Sequence, residues 1–331
     1  MTGRAVQFVA PYTVEVAEVP LREPADGELL VRAEVSGISS GTEMLAYRGE
    51  IDPNVAVDAT LDALRGTFAY PFTYGYSVVG TVERSRGTIA KGTRIFAFHP
   101  HQDLFVVAER DVVQLDDENP RCATLLPLVE TALQACLDAG PRLGEPVVVV
   151  GLGCVGALTA ALLRGCGARV LGSEPQEARR SAARGLGVEA VAPDELAAAV
   201  KALTGGRGVP LVVEASGSPH ALGAALGLLA HEGTVLVCSW YGARAVALPL
   251  GGEFHRRRLV IRSTQVSTIP AALSGRWDRA RRREAARALV SELPLETLAT
   301  HEFPFEAAPR AYAAVAGGEP GLIHAALRYG S

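Results

Sequence analysis

Apolar residues follow two different spacings along this chain, and the change of spacing divides it. In the first part, short runs rich in β-branched and aromatic residues alternate with Gly, Pro and Asp, as in strands joined by turns. We predict strands at Val14–Val19, Leu29–Val35, Val78–Val82, Arg94–Phe98 and Leu104–Val107. A helical pattern then begins at Pro127 and continues to Ala139.

From Pro146 onward, strand-like apolar runs alternate with Ala-rich helical stretches. This alternation predicts βαβ units, in which a parallel sheet carries helices on both faces. After Gln265 the chain returns to a mixed pattern of helices and short strands. We therefore predict an α/β fold in which a doubly wound Rossmann domain at 128–266 is inserted into an outer domain. That β-rich outer domain would consist of residues 1–127 and 267–331.

A glycine-rich turn lies between the first strand of the middle domain, Val147–Val150, and the helix after it. In such turns the first glycine permits the sharp bend, the second lets the backbone approach a pyrophosphate, and the third lets helix pack on strand. The helix N-terminus offers unpaired N–H groups to phosphates. The context favours a dinucleotide cofactor over a glycine-rich turn of some other α/β fold. The turn consists of Gly151, Leu152, Gly153, Cys154, Val155 and Gly156.

The second strand of the middle domain ends in an acid, Glu174. A carboxylate at this place accepts hydrogen bonds from the adenosine ribose hydroxyls, and its charge repels a 2′-phosphate. NAD is therefore the expected cofactor. Ser173, Arg179 and Arg180 leave NADP possible, because a hydroxyl and guanidinium groups can receive that phosphate. The alternative for the two arginines is a solvated helix face.

Composition narrows the function class. The 331 residues are 48% hydrophobic and 21% charged, and the net charge of -4 does not favour nucleic acid as a partner. The arginine-rich stretches 255–258 and 276–283 are interpreted as solvated faces and ion pairs. No apolar run reaches membrane-spanning length, and no signal peptide is recognisable. The five cysteines form no C-x-x-C pair, so we expect a cytoplasmic protein without disulfides or a cysteine-built zinc site.

Several stretches resemble the medium-chain dehydrogenase/reductase superfamily. The resemblance covers nearly the whole chain and implies a GroES-like catalytic domain around the Rossmann domain, with a small molecule as substrate. It also implies a homodimer, because Leu259–Val266 matches the edge strand that pairs between subunits. The stretch Ser36–Glu43 is locally most similar to the branch containing bacteriochlorophyllide hydroxyethyl dehydrogenases. The matching stretches are Ser36–Glu43, Gly75–Gly80, Val213–Gly217 and Thr300–Phe305.

The zinc ligands of that superfamily are missing from this chain. Ser40 stands at the first ligand position, Tyr76 and Ser77 replace His and Glu, and Pro127 falls on the third position. The cysteine-rich lobe of a structural zinc is also absent from the sequence. A catalytic zinc needs about three N, S or carboxylate ligands, so we predict a zinc-independent enzyme.

Hydroxyl groups would then replace the metal in stabilising charge on the substrate oxygen. The resemblance places Ser40, Thr42 and Tyr76 around the vacated metal site, with Thr42 on the proton-passing hydroxyl of zinc members. Tyr76 is the leading proton donor, and a packing aromatic is its equal alternative. Glu43 matches an acid behind the metal that could orient a donor, and a structural ion pair is equally compatible.

Further residues are predicted around the substrate and the nicotinamide. Phe98 and His99 match the substrate pocket wall, where His99 would make a polar contact or relay a proton. A metal site at His99, His101 and Asp103 is disfavoured, because Pro100 interrupts the strand and no further ligand is near. Residues matching or following strand ends at the cofactor cleft are Thr131, Ser216, Ser239, Trp240 and Tyr241.

The sequence therefore predicts a zinc-independent, NAD-linked oxidoreductase acting on a polar secondary alcohol or its ketone, such as a cyclitol or sugar-like intermediate. The segment Arg48–Pro71 is longer than in the similar branch, so a different substrate is expected. Two alternatives remain open. One is an alkene reductase of the enoyl or quinone type, and the other is a dinucleotide-binding protein without catalysis.

Overall fold

The computed structural model describes residues 1–58, 61 and 63–330. The strands are β1 Thr2–Ala10, β2 Thr13–Pro20, β3 Glu28–Ile38, β4 Phe72–Thr73, β5 Val78–Ser85, β6 Arg94–Ala97, β7 Leu104–Ala108, β8 Val112–Gln114, β9 Pro146–Val150, β10 Arg169–Ser173, β11 Glu189–Val191, β12 Val209–Glu214, β13 Leu229–Val237, β14 Val260–Ser263, β15 His301–Pro304 and β16 Ala325–Arg328. The α-helices are α1 Thr42–Arg48, α2 Pro120–Ala123, α3 Leu126–Ala139, α4 Cys154–Gly165, α5 Glu177–Gly185, α6 Leu196–Thr204, α7 Pro219–Ala225, α8 Arg279–Glu292 and α9 Ala308–Gly317.

Two compact units divide the chain. The outer unit contains Met1–Pro127 and Ala299–Ser331, and the inner unit contains Leu128–Leu298. The chain thus returns to the outer unit at Ala299, whereas the sequence analysis placed the return at 267. The physical reason is helix α8, whose Arg282 is buried and hydrogen-bonds Glu130 of α3 at 3.0 Å. A helix held by this buried ion pair belongs to the inner unit.

The inner unit is a Rossmann domain. Its sheet has the strand order β11-β10-β9-β12-β13-β14, and every neighbouring pair is parallel. Val147, Val148 and Val149 of the central strand are fully buried, as expected for a strand covered by helices on both faces. The strand order is that of a doubly wound dinucleotide-binding fold. The predicted fold class is confirmed here.

The outer unit consists mainly of antiparallel sheets. One sheet has the order β2-β1-β4, and the other has β15-β16-β3-β5-β6-β8, with β7 also paired to β3. Phe8 of β1 stacks on Phe72 at 5.0 Å and meets the ring of Tyr312 edge-on at 5.2 Å. This aromatic core joins β1 to α9, so the returning C-terminal segment completes the unit.

Strand boundaries differ modestly from the sequence prediction. Strand β1 is not predicted by the sequence pattern, although four of its nine residues are buried. Strand β14 ends at Ser263 rather than Val266. Within the lengthened segment Arg48–Pro71, residues 59, 60 and 62 lie outside the described residues. Among the described residues, no helix is long and apolar enough to cross a membrane.

Candidate functional site

The glycine-rich turn connects β9 to α4 in the inner unit. Gly151 has φ +86°, and a Cβ there would lie 2.5 Å from the Ser216 Cα. A Cβ on Gly156 would overlap the carbonyl oxygen of Gly151, so this glycine allows the turn to close on itself. A Cβ on Gly153 would meet no protein atom within 4 Å. The turn thus leaves room on the side of Gly153, where a pyrophosphate approaches the helix N-terminus in this fold.

Glu174 follows β10 and faces that turn. Its carboxylate accepts the N–H of Leu152 at 3.0 Å and the N–H of Gln176 at 3.1 Å. The side chain is almost fully buried, and Ser173 beside it is buried too. The acid predicted to bind ribose hydroxyls is therefore fixed against the glycine-rich turn by backbone hydrogen bonds.

The two arginines of α5 have different partners. Arg180 donates to the carbonyl oxygens of Glu174 and Pro175 and pairs with Glu177 at 2.7 Å. The Arg179 Nη1 lies 4.0 Å from the Glu174 carboxylate, and its buried Nε has no hydrogen-bond partner among the described residues. Arg180 is therefore committed to the protein, while Arg179 lies at the edge of the predicted ribose site.

A buried carboxylate that the sequence analysis did not select lies at the carboxyl end of β12. Glu214 accepts the Ser216 N–H at 2.7 Å, the Ser216 hydroxyl at 2.5 Å and the Tyr241 hydroxyl at 2.6 Å. Nearby, the Ser239 hydroxyl accepts the N–H of Gly217 at 2.8 Å. These contacts hold Ser216, Ser239 and Tyr241 at the strand ends where ligands bind in open parallel sheets.

The aromatic residues after β13 differ in environment. Trp240 is 45% exposed, whereas the hydroxyl of Tyr241 is occupied by Glu214. Burial and this hydrogen bond raise the pKa of Tyr241. The Tyr241 hydroxyl is therefore held by Glu214, and it is not an exposed acidic group. Thr131 lies half-buried on α3 in the same unit.

In the outer unit, the predicted hydroxyl groups lie at the start of α1. Ser40 is exposed and Thr42 is half-buried. Glu43 is fully buried, and its Oε1 accepts the Ser39 N–H at 2.8 Å. Its Oε2 accepts the Tyr312 hydroxyl at 2.5 Å and lies 2.9 Å from His101 Nε2. Glu43 is thus an internal anchor for the segment that carries Ser40 and Thr42.

His101, which sequence reasoning did not select as a site residue, lies at the centre of this hydrogen-bond network. Its Nδ1 lies 2.7 Å from Ser36 Oγ, which in turn lies 2.9 Å from the Tyr329 hydroxyl. The imidazole is fully buried and packs against Gly75. The sequence signal was the H-x-H-x-D spacing, but nothing in it identified Glu43 as the partner.

Tyr76 follows Gly75 and is half-buried. Its ring lies 6.0 Å from that of Tyr74, edge-on, and packs against the outer core. Ser77 is buried, and its hydroxyl donates to the Thr124 carbonyl oxygen at 2.6 Å. Tyr76 is therefore a half-buried residue at the edge of the outer core, and Ser77 is held by a buried hydrogen bond.

His99 is buried, and its ring stacks on Phe105 at 4.1 Å. Its Nδ1 lies 3.0 Å from the Pro100 carbonyl oxygen. Burial lowers the pKa of His99 to about 4, so the ring is neutral near pH 7 and poorly suited to relay a proton there. Phe98 packs edge-on against Phe96 at 5.0 Å.

The side chains of the H-x-H-x-D stretch have three separate partners. His99 contacts Pro100, His101 contacts Glu43, and Asp103 pairs with Arg4 at 3.0 Å. Across the part of the chain that the structure describes, no group of three or more His, Cys, Asp and Glu residues could hold a metal ion. The stretch is therefore a set of structural contacts.

The chain is similar in sequence to known dehydrogenases. A family model described as "Zinc-binding dehydrogenase" matches residues 154–282. The chain is 26% identical over 325 residues to D-guloside 3-dehydrogenase of Escherichia coli K12, covering 92% of this chain and 93% of that protein. It is 27% identical over 336 residues to 2-desacetyl-2-hydroxyethyl bacteriochlorophyllide A dehydrogenase of Cereibacter sphaeroides, covering 95% and 94%.

Solved structures share the fold over the full length. An alcohol dehydrogenase of Thermotoga maritima aligns with a TM-score of 0.81 at 16% identity, covering 100% of both chains. A protein of Escherichia coli CFT073, described as a short chain alcohol dehydrogenase in complex with NADH, aligns with a TM-score of 0.76 at 16% identity over 99% of both chains.

Proposed function

We propose that this chain is a zinc-independent, NAD(H)-dependent dehydrogenase of a polar secondary alcohol. The chain belongs to the medium-chain dehydrogenase/reductase superfamily. The observation that carries the proposal is the turn at 151–156 with Glu174 fixed against it. That arrangement suits the pyrophosphate and the unphosphorylated ribose of NAD. Arg179, beside Glu174, keeps NADP a weaker possibility.

When bound, the nicotinamide supplies or accepts the hydride. The protein must position the substrate carbon and manage one proton, and Tyr76, Thr42 and Ser40 are the proposed hydroxyl groups for that task. Tyr76 is the leading candidate, because a phenol is the most acidic of the three and can donate to a developing alkoxide. Glu43 has no exposed surface, so its proposed role is to orient its neighbours.

The residues at the family's zinc position do not fit a zinc ion. Ser40, Tyr76 and Ser77 offer hydroxyls rather than thiolate, imidazole or carboxylate groups, and Pro127 offers no side-chain donor. The nearby imidazole and carboxylate, His101 and Glu43, are buried and bonded to each other. The proposed mechanism therefore assigns no step to a metal ion.

The names of the relatives support the proposed substrate class. D-guloside 3-dehydrogenase and L-galactonate-5-dehydrogenase of Escherichia coli K12 carry sugar-derived substrates in their names. Their similarity supports a polyhydroxylated secondary alcohol here as well. We also infer a homodimer, because β14 is at the edge of its sheet and its Val260 is 44% exposed.

The decisive experiment is a substrate screen that follows absorbance of the reduced nicotinamide. Sugar-derived alcohols, their ketones and activated alkenes are compared with NAD(H) and NADP(H). We expect turnover of an alcohol–ketone pair with NAD(H) preferred. Turnover of alkenes alone would replace this proposal with a reductase, and no turnover would favour a binding protein.

The Tyr76→Phe variant tests the proposed proton donor. We expect kcat of Tyr76→Phe to fall by at least ~10-fold, since general acid groups contribute about 100-fold or more. An unchanged kcat would assign Tyr76 to packing.

Metal analysis of the purified protein should find less than stoichiometric zinc, and one zinc per chain would overturn the mechanism.

A further inference from the structure

The buried pair Glu43–His101 joins the two segments that carry the proposed proton-handling hydroxyls, and we propose that His101 is a positioning residue for the reaction. The inference rests on the proposed function, because it concerns the geometry of Ser40, Thr42 and Tyr76. His101 contacts neither the substrate nor the cofactor in this proposal. It acts through Glu43 on one segment and through Gly75 on the other.

The first segment is held through Glu43. Its Oε1 accepts the N–H of Ser39 at 2.8 Å, and Ser39 directly precedes Ser40. Glu43 itself directly follows Thr42, so its position sets the conformation of the intervening turn. The opposite oxygen, Oε2, lies 2.9 Å from His101 Nε2, and both side chains are 0% exposed. A carboxylate closed off from solvent depends strongly on its protein donors, because an unsatisfied buried acceptor is costly.

The second segment is held through Gly75. This residue has φ +111°, and a Cβ on it would lie 2.5 Å from His101 Cδ2. The imidazole therefore occupies the space that a side chain at position 75 would fill. The backbone N–H of His101 also donates to the carbonyl oxygen of Tyr74 at 3.2 Å. Two contacts from His101 therefore hold the backbone at Tyr74 and Gly75, directly before Tyr76.

A proton on His101 Nε2 gives every hydrogen bond in this set one donor and one acceptor. With a proton on His101 Nε2, the imidazole donates to Glu43, Ser36 donates to His101 Nδ1, and Tyr329 donates to Ser36. Tyr312 and the Ser39 N–H supply the remaining donors to Glu43. Every proton in this set points toward the carboxylate. Loss of the Nε2 donor would leave the buried Oε2 one donor short. The carboxylate would then shift toward other donors, and its hydrogen bond from the Ser39 N–H would weaken.

Two variants with similar polar side chains distinguish a positioning role of His101 from a packing role. The amide of His101→Gln reaches the place of Nε2 and can donate to Glu43, whereas that of His101→Asn reaches only the place of Nδ1. We expect kcat of His101→Asn to fall about tenfold or more, with KM changed less than about threefold. His101→Gln should recover kcat to within about threefold of the wild type. Titration with NADH should give the same Kd for all three proteins.

Amide hydrogen exchange of peptides containing Ser39 provides a readout that does not need turnover. Exchange at Ser39 should be about tenfold faster in His101→Asn and close to wild type in His101→Gln. Equal exchange in both variants would overturn the inference, and so would an unchanged kcat in His101→Asn. If the wild type turns over no alcohol, the proposed function fails, yet the exchange comparison still decides whether His101 anchors this segment.

A measurement on the wild-type protein tests the inference even if the variants fail to fold. With 15N-labelled histidine, the NMR shifts of the His101 ring report which nitrogen carries the proton. A proton on Nε2 is expected. A neutral ring protonated only on Nδ1 would overturn the inference, because such a ring cannot donate to Glu43.

Discussion

Three buried histidines of the outer unit show how neighbouring groups decide the role of a side chain. His101 is bonded to Glu43 at 2.9 Å, while His99 and His324 lie where burial lowers the pKa of each to about 4. A neutral ring suits structural packing near pH 7 and does not suit proton transfer. The three differ in function because their surroundings differ, although all three are the same residue type.

The lowered pKa values make stability depend on pH. In the folded protein His99 and His324 stay neutral until about pH 4, whereas in the unfolded chain a histidine binds a proton below about 6.5. The unfolded state therefore binds more protons between pH 6.5 and 4, and the free energy of unfolding falls as the pH falls. Each histidine should cost about 2 kcal/mol of stability at pH 5 relative to pH 7.

Urea denaturation of the wild type and His99→Gln at pH 7 and pH 5 measures this effect. The loss between the two pH values should be smaller in His99→Gln by about 2 kcal/mol, whatever the stability of the variant at pH 7. A pH-dependent loss equal to that of the wild type would contradict the buried, neutral state of His99.

At the scale of elements, the turn between β9 and α4 assigns separate tasks to its glycines. Gly151 and Gly156 are required by the protein's own backbone, since a Cβ on either would meet Ser216 or the Gly151 carbonyl oxygen. Gly153 has no such neighbour within 4 Å. The sequence motif predicts a bend at Gly151, pyrophosphate approach at Gly153 and helix packing at Gly156. The structure gives the backbone contacts that require the first and the third glycine.

Alanine variants of Gly153 and Gly156 test that separation. Gly153→Ala should melt within about 2 °C of the wild type but bind NADH about tenfold more weakly, because its Cβ would stand in the path of the pyrophosphate. Gly156→Ala should lower the melting temperature and also abolish NADH binding. Thermal melting and NADH fluorescence titration give both readouts, and wild-type affinity in Gly153→Ala would refute the assignment.

At the scale of the whole molecule, the inner unit extends to Leu298 because α8 is fixed to α3. Arg282 and Glu130 are both almost fully buried and lie 3.0 Å apart, and Arg282 also donates to Gln134. Arg281 of α8, in contrast, is exposed, and its guanidinium lies 4.6 Å from the centre of the Trp277 ring. Arg283 is partly buried, and its Nε lies 3.8 Å from the other carboxylate oxygen of Glu130. One buried ion pair in an arginine-rich helix thus determines to which unit the helix belongs.

Substitution of these two arginines gives a matched test. Arg282→Met should destabilise the protein by about 3–5 kcal/mol, because it leaves the Glu130 carboxylate buried without its main partner. Arg281→Met should cost at most about 1 kcal/mol, as expected for an exposed cation–π contact. Chemical denaturation measures both, and equal effects would mean that the buried pair does not secure α8.

Local patterns in the sequence predict the Rossmann sheet, the glycine-rich turn and the hydroxyl-bearing residues at the superfamily's zinc positions. These features depend on local spacing: Val147–Val150 precedes the turn directly, and Ser40 and Tyr76 stand within short motifs. The folded structure is needed to show that His101 is the partner of Glu43, that Glu214 anchors Ser216 and Tyr241, and that α8 belongs to the inner unit. Those contacts join residues far apart in the chain, and the choice among many acids, histidines and arginines is made by burial, because a buried charge must find a particular partner.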